Sequence, residues 1–170
     1  MTAAVSRLLS AAILLSATLA AAPAMADSAK ALGKFGDWSA FAYGDKSGKI
    51  CYAVGKPGRS MNSPKGRAEA YVTITHRPSD KSFDVVSVTQ GYAFKKDAVP
   101  EMDVSGARFD LYTQDASAWS RNDKAIVQAM LKAKQVIVHG QPVKGDASAD
   151  TYSLDGFAKA YAEIGKACGK

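Results

Sequence analysis

Two cysteines constrain this chain more than any other feature. Cys51 and Cys168 stand 117 positions apart, the second close to the last residue. The stretch 150–168, Asp-Thr-Tyr-Ser-Leu-Asp-Gly-Phe-Ala-Lys-Ala-Tyr-Ala-Glu-Ile-Gly-Lys-Ala-Cys, reads as a capped amphipathic helix. Ser153 is its expected N-cap, and Asp155 lies in the first turn. Leu154, Phe157, Ala158, Tyr161 and Ile164 form one apolar stripe, and Gly165 is the expected stop. Cys51 falls in a segment of strand character. A Cys51–Cys168 bond would tie the last element of the fold to one of the first. In the chain-entropy account it would contribute up to about 4–5 kcal/mol. Two free buried thiols are the competing arrangement.

The compartment bears on that choice. Residues 1–26 carry a single charge, Arg7, then an apolar run over 8–22, then the small-residue site Ala24-Met25-Ala26. These are the three parts of a secretory signal peptide cleaved after Ala26. The run is shorter than the ~20 residues a membrane helix needs, so no transmembrane span is expected. An exported chain meets an oxidising environment, which favours the disulfide. Without a Cys-x-x-Cys pair, neither cysteine suggests redox catalysis.

Removing 26 of 170 residues leaves 144, enough for one domain (27–170) with a core of its own. The leader takes one basic residue and no acidic one, so the net charge goes from +6 to +5. For an exported protein that balance points away from nucleic acid. It points toward an anionic envelope or host-surface component, with a basic surface kept for solubility as the plainer account.

Short segments dense in β-branched and aromatic residues recur along the mature chain. Residues 36–43 and 49–54 read as a hairpin around a Gly-Asp-Lys-Ser-Gly turn, with Trp38 on one face and Phe41 and Tyr43 on the other. Residues 68–76 and 82–90 read as a second, central hairpin. Further strands are expected over 100–104, 107–112 and 135–139. A helix capped by Ser120 or Asn122 should run to about 134. The expected fold is mainly β: an immunoglobulin-like β-sandwich of about seven to eight strands with two helices in the C-terminal third. A small closed barrel is the alternative.

No motif for catalysis stands out. The chain lacks a Gly-x-Ser-x-Gly, a His-Glu-x-x-His, a phosphate loop and a dinucleotide fingerprint, so no cofactor is expected. His76 and His139 stand at strand ends without a second ligand at metal spacing, and read as polar residues at the sheet edge. Asp97, Glu101 and Asp103 cluster near a proline turn. Acid/base work by such a trio competes with a solvated acidic turn, and the spacing favours the turn. Trp38 and Trp119 read as core anchors.

One feature has a positive functional case. Residues 55–67, Gly-Lys-Pro-Gly-Arg-Ser-Met-Asn-Ser-Pro-Lys-Gly-Arg, carry Lys56, Arg59, Lys65 and Arg67 and no acidic residue. The Gly and Pro content argues for a loop. Four cations there could meet phosphates or sulfated sugars, in a contact that salt would weaken.

Several short motifs together resemble the invasion-associated locus B family of exported bacterial proteins. They are Phe35-Gly-Asp-Trp38, Cys51-Tyr-Ala-Val-Gly-Lys-Pro57, Tyr71-Val-Thr73 with Arg77-Pro78, and Ser87-Val-Thr-Gln-Gly-Tyr-Ala-Phe-Lys95. Ala118-Trp119, Ala129-Met130, Val138-His-Gly140 with Lys144-Gly145, and Asp150-Thr-Tyr-Ser-Leu-Asp-Gly-Phe157 follow in order. The resemblance implies a β-sandwich, a periplasmic or outer-membrane-associated location and, in pathogens, a link to host-cell invasion. It implies no enzyme mechanism and brings no catalytic residues. Lys144-Gly145 stands where the family usually has Arg-Gly, and Gln141-Pro142 replaces small polar residues. The sequence therefore suggests a non-catalytic binding or accessory protein of the cell envelope. Its contacts would run through Lys56, Arg59, Lys65 and Arg67, or through Lys144 and the 140–150 loop. A structural envelope protein working in assembly or stress resistance, in contact with other envelope proteins, is the second reading.

Overall fold

The computed structural model describes residues 29–44 and 48–170; the expected leader and the centre of the first hairpin turn, residues 45–47, lie outside the described residues. The strands are β1 (Lys30–Phe35), β2 (Trp38–Tyr43), β3 (Ile50–Gly55), β4 (Arg59–Met61), β5 (Tyr71–Arg77) and β6 (Ser82–Thr89). They continue as β7 (Glu101–Val104), β8 (Ala107–Gln114), β9 (Ser117–Ser120), β10 (Gln135–Gly140) and β11 (Ser148–Ser153). Two helices, α1 (Asp123–Met130) and α2 (Phe157–Cys168), complete the fold.

All pairings are antiparallel, in the order β1-β2-β3-β5-β6-β9-β8-β7-β10-β11-β4. The mainly β architecture is the expected one, but its layers come from one continuous sheet that wraps round a single core. Its two ends meet. The Trp38 indole on β2 donates to the Ser153 carbonyl at 2.9 Å, and Asp37 N–H donates to the Asp155 carbonyl at 3.2 Å.

Both expected hairpins form, β2 with β3 and β5 with β6. Inward positions alternate as the pleat requires: Trp38 and Ala40, Cys51 and Ala53, Val72 and Ile74, Val86 and Val88, Val136 and Val138. Four of the eleven strands, β1, β4, β9 and β11, fall outside the segments that read as strands in the sequence. β1 precedes the first segment of expected strand character, and β4 lies inside the Gly/Pro-rich loop. β9 is short, and β11 turns Ser148, Asp150 and Tyr152 inward. Two polar residues at inward positions conceal the period of two that marks a strand.

β11 takes the residues assigned to the start of the last helix, so α2 begins later, at Phe157. Gly156 precedes it with φ 82°, and a Cβ there would collide with the Phe35 carbonyl. Phe157, Ala160, Ile164 and Cys168 form its buried face, at helical spacing. Phe157 meets Trp38 edge-on with ring centroids 4.8 Å apart, and burying each such ring contributes about 1.5–3 kcal/mol. Gly165 is inside the helix, and the stop is Gly169, at φ 70°. α1 ends at Met130, earlier than expected.

Cys51 and Cys168 are bonded, which fastens the last turn of α2 to β3. His76 sits opposite Cys51 on β5. It is fully buried, contrary to the expectation of a sheet-edge residue. His139 is exposed on β10. Trp38 is a core anchor as expected. Trp119 is on the other face of its strand and only half-buried, because its neighbours Ala118 and Ser120 take the inward positions.

Candidate functional site

The basic loop and the 140–150 loop were nominated separately from the sequence, and the fold places them side by side. β4 pairs with β11 in the register Arg59↔Thr151, Ser60↔Asp150 and Met61↔Ala149. Gly58 N–H donates to the Thr151 carbonyl at 3.0 Å, and the Asn62 amide donates to the Ala147 carbonyl at 3.1 Å. Pro64 of one loop then lines an open cavity of about 390 Å³ with Pro142, Val143 and Lys144 of the other and with Tyr92 and Ala93.

Beneath this face lies a polar scaffold. Arg67 donates from two guanidinium nitrogens to Asp150, at 2.8 and 2.9 Å, and also to the Ser60 hydroxyl at 2.8 Å. The Asp150 side chain is completely buried. Its hydrogen bond raises the Arg67 pKa further above the already high ordinary value. Next to this pair, the Tyr92 hydroxyl lies 2.5 Å from Gln90 Oε1 and 2.6 Å from the Ser148 hydroxyl. Gln90 Nε2 donates on to the Val138 carbonyl. Burial pushes the Tyr92 hydroxyl's pKa up, against the opposing effect of Ser148. Tyr152, also on β11, has a buried hydroxyl without a partner, and burial holds its pKa far above the usual phenol value.

The five cations nominated from the sequence separate into different roles. Arg67 is a bidentate partner of a buried carboxylate, so its charge is committed inward. Lys56 pairs with Glu69 at 2.7 Å, both exposed, and faces a separate groove of about 490 Å³ lined also by Lys34, Phe41 and Pro57. Such an exposed pair is worth at most about 1 kcal/mol. Arg59 lies 3.4 Å from the Met61 sulfur. Among the described residues, Arg59, Lys65 and Lys144 make no ion pair. Lys144 lines the cavity, and Lys65 is the exposed residue directly after Pro64, which also lines it. The acidic residue of the second loop, Asp146, is exposed.

The Asp97/Glu101/Asp103 group does not form an acid/base pocket. Glu101 and Asp103 flank Arg108 across the β7–β8 hairpin, at 3.6 and 3.8 Å, and Asp103 also accepts from Gly106 N–H at 2.7 Å in the tight turn. Asp97 is an exposed turn residue with φ 60°. Among the described residues, no three His, Cys, Asp or Glu side chains are grouped to hold a metal ion.

Sequence reasoning missed Gln90, Tyr92, Ser148 and Asp150 as parts of this site. A signal was present: Gln90 and Tyr92 belong to one motif of the family resemblance, and Asp150 opens another. In the fold those motifs interlock with Gly140, whose missing Cβ leaves room for the Gln90 side chain and the Tyr92 hydroxyl.

Fold and site together define a mainly β domain, closed by a long-range disulfide and carrying a two-loop surface. The chain belongs to the family of the Invasion associated locus B (IalB) protein, whose profile matches residues 38–165. Its fold is similar to that in the crystal structure of invasion associated protein B from Bartonella henselae, with a TM-score of 0.60. That likeness covers 81% of this chain and 98% of the other at 15% identity. A comparison with curated proteins found no match.

Proposed function

We propose that this chain is an exported, non-catalytic binding protein of the bacterial cell envelope. In this reading the leader is cleaved after Ala26, and the mature domain takes an anionic partner on the joined loop face. The observation that carries the reading is the convergence of Pro64, which directly precedes Lys65 in the chain, with Pro142, Val143 and Lys144 around one open cavity. Two loops held together by β-pairing and by a buried ion pair present a pre-ordered surface, which lowers the entropic cost of binding. The family membership supports an envelope setting, and in an invasive bacterium the partner would be a host-surface component.

The test has two arms. Fractionation of intact cells with external protease locates the protein: cleavage from outside supports a host-facing role, whereas protection in the periplasm shifts the reading to envelope assembly. Binding of the purified mature protein to a soluble sulfated polysaccharide should weaken steeply with salt and with Lys65→Gln plus Lys144→Gln. Binding indifferent to both changes would sink the cationic-face reading.

A further inference from the structure

The loop face combines two properties that a soluble polyanion would use only in part. Val143 is 59% exposed and Met61 51% exposed, and they are two of four large apolar side chains so exposed among the described residues. Both lie on the joined loops. Met61 ends β4, three residues before Pro64, and Val143 lines the cavity with Pro64, Ala93 and Pro142. Each loop thus sets an apolar residue directly before a cation: Pro64 before Lys65, and Val143 before Lys144.

A polysaccharide would engage the lysines and leave the valine and prolines in water. An anionic bilayer would engage both. Its phosphates lie at the level of the ammonium groups, and the apolar side chains reach the boundary between headgroups and acyl chains. No described helix is long and apolar enough to cross a membrane, so the contact would be peripheral. Asp146, exposed in the second loop, opposes it, while Arg59, Lys65 and Lys144 are exposed and make no ion pair among the described residues. The tie from Asn62 to Ala147 and the Arg67–Asp150 pair hold the two loops in register, so little ordering is required on docking.

Resting on the proposed anionic-partner reading, we infer that the joined loops form a peripheral docking surface for an anionic phospholipid bilayer, with Lys65 and Lys144 at the phosphates and Val143 inserted between headgroups. The occupant is the membrane surface itself, and the open apolar cavity takes the upper part of a lipid.

The experiment is co-sedimentation of the mature protein with phosphatidylcholine vesicles, with and without phosphatidylglycerol. Binding is expected only to the anionic vesicles. Lys65→Gln with Lys144→Gln should weaken it about 30-fold, at about 1 kcal/mol for each lysine removed from the surface. Val143→Ser, at an exposed position with no demand on folding, should weaken it several-fold and leave the salt dependence in place. Equal binding to neutral vesicles, or anionic binding unchanged in both variants, would overturn the inference. So would a dimer in sedimentation velocity that Val143→Ser dissolves, since the face would then belong to a second copy. Lysine-dependent binding to the sulfated polysaccharide with none to vesicles would refute the bilayer and leave the anionic-partner reading standing. Binding to neither probe would end both.

Discussion

Arg67 grips Asp150 through two hydrogen bonds across 83 positions of sequence, and the carboxylate it holds has no exposed surface. The pair joins the loop that sequence reasoning singled out for its charge to the strand that precedes the final helix. A guanidinium that looks available to a ligand in sequence is in the fold a structural tie.

Removing one partner should therefore cost more than removing both. Arg67→Met leaves a buried carboxylate unpaired and is expected to destabilise by about 3–5 kcal/mol. The double variant Arg67→Met with Asp150→Leu should recover much of that loss. Chemical denaturation of the parent and the two variants measures the difference, and equal costs for single and double variants would contradict the pairing.

The disulfide should dominate resistance to heat. Cys51→Ala with Cys168→Ala opens a loop spanning 117 positions, and the expected loss is about 4–5 kcal/mol. Calorimetry with and without reductant reads it. A Tm insensitive to reductant in the parent protein would argue against the staple.

Acid should weaken the fold through His76. Burial, then the Lys170 cation, hold its imidazole below the ordinary value of 6.5, against the opposing pull of Asp84. Its Nδ1 accepts from Asp84 N–H at 3.1 Å, and its Nε2 is buried without a partner, beneath Tyr161 and Phe83. The unfolded chain takes a proton as pH falls through about 6.5 while the folded chain does not. Stability is therefore lost below that pH until the folded imidazole itself titrates, at no more than about 1.4 kcal/mol per pH unit. Tm followed from neutral to mildly acid pH should fall, and His76→Gln should flatten the slope.

Asp84 acts in a lower window. Burial raises its carboxyl, but hydrogen bonds from Lys170 and Tyr161, and the nearby charges, outweigh this and hold it below 3.8. Its contribution is present above that value and fades as pH falls further.

Gly140→Ala should damage the site from below. A Cβ at that position would collide with Gln90 Oε1 and the Tyr92 hydroxyl, forcing apart the groups that join β6 to β11. The expected cost is about 1–3 kcal/mol for overpacking. Vesicle binding should fall as well, because Tyr92 lines the cavity. Full stability in this variant would show that the floor of the site yields more readily than its packing implies.

Much of the fold was legible because apolar alternation and turn residues are local signals. The two hairpins β2–β3 and β5–β6, the presence of two late helices and the cysteine staple all declare themselves in short windows of sequence. β11 did not, since its inward positions carry Ser148 and Asp150, whose burial only becomes affordable once Tyr92 and Arg67 arrive from elsewhere. His76 was misplaced at a sheet edge for the same reason: its burial depends on Phe83, Tyr161 and the final helix.

The sequence alone determined a mainly β domain, its family likeness, its basic balance and the two cysteines able to close it. Tertiary structure decided which charges are free. Arg67 and Lys56 found carboxylates at Asp150 and Glu69, whereas Lys65 and Lys144 make no ion pair among the described residues, and the loops that carry them meet at one cavity. Net charge and loop composition are sums over residues, but pairing is set by distance in space. That distance exists only after the sheet has wrapped β4 onto β11.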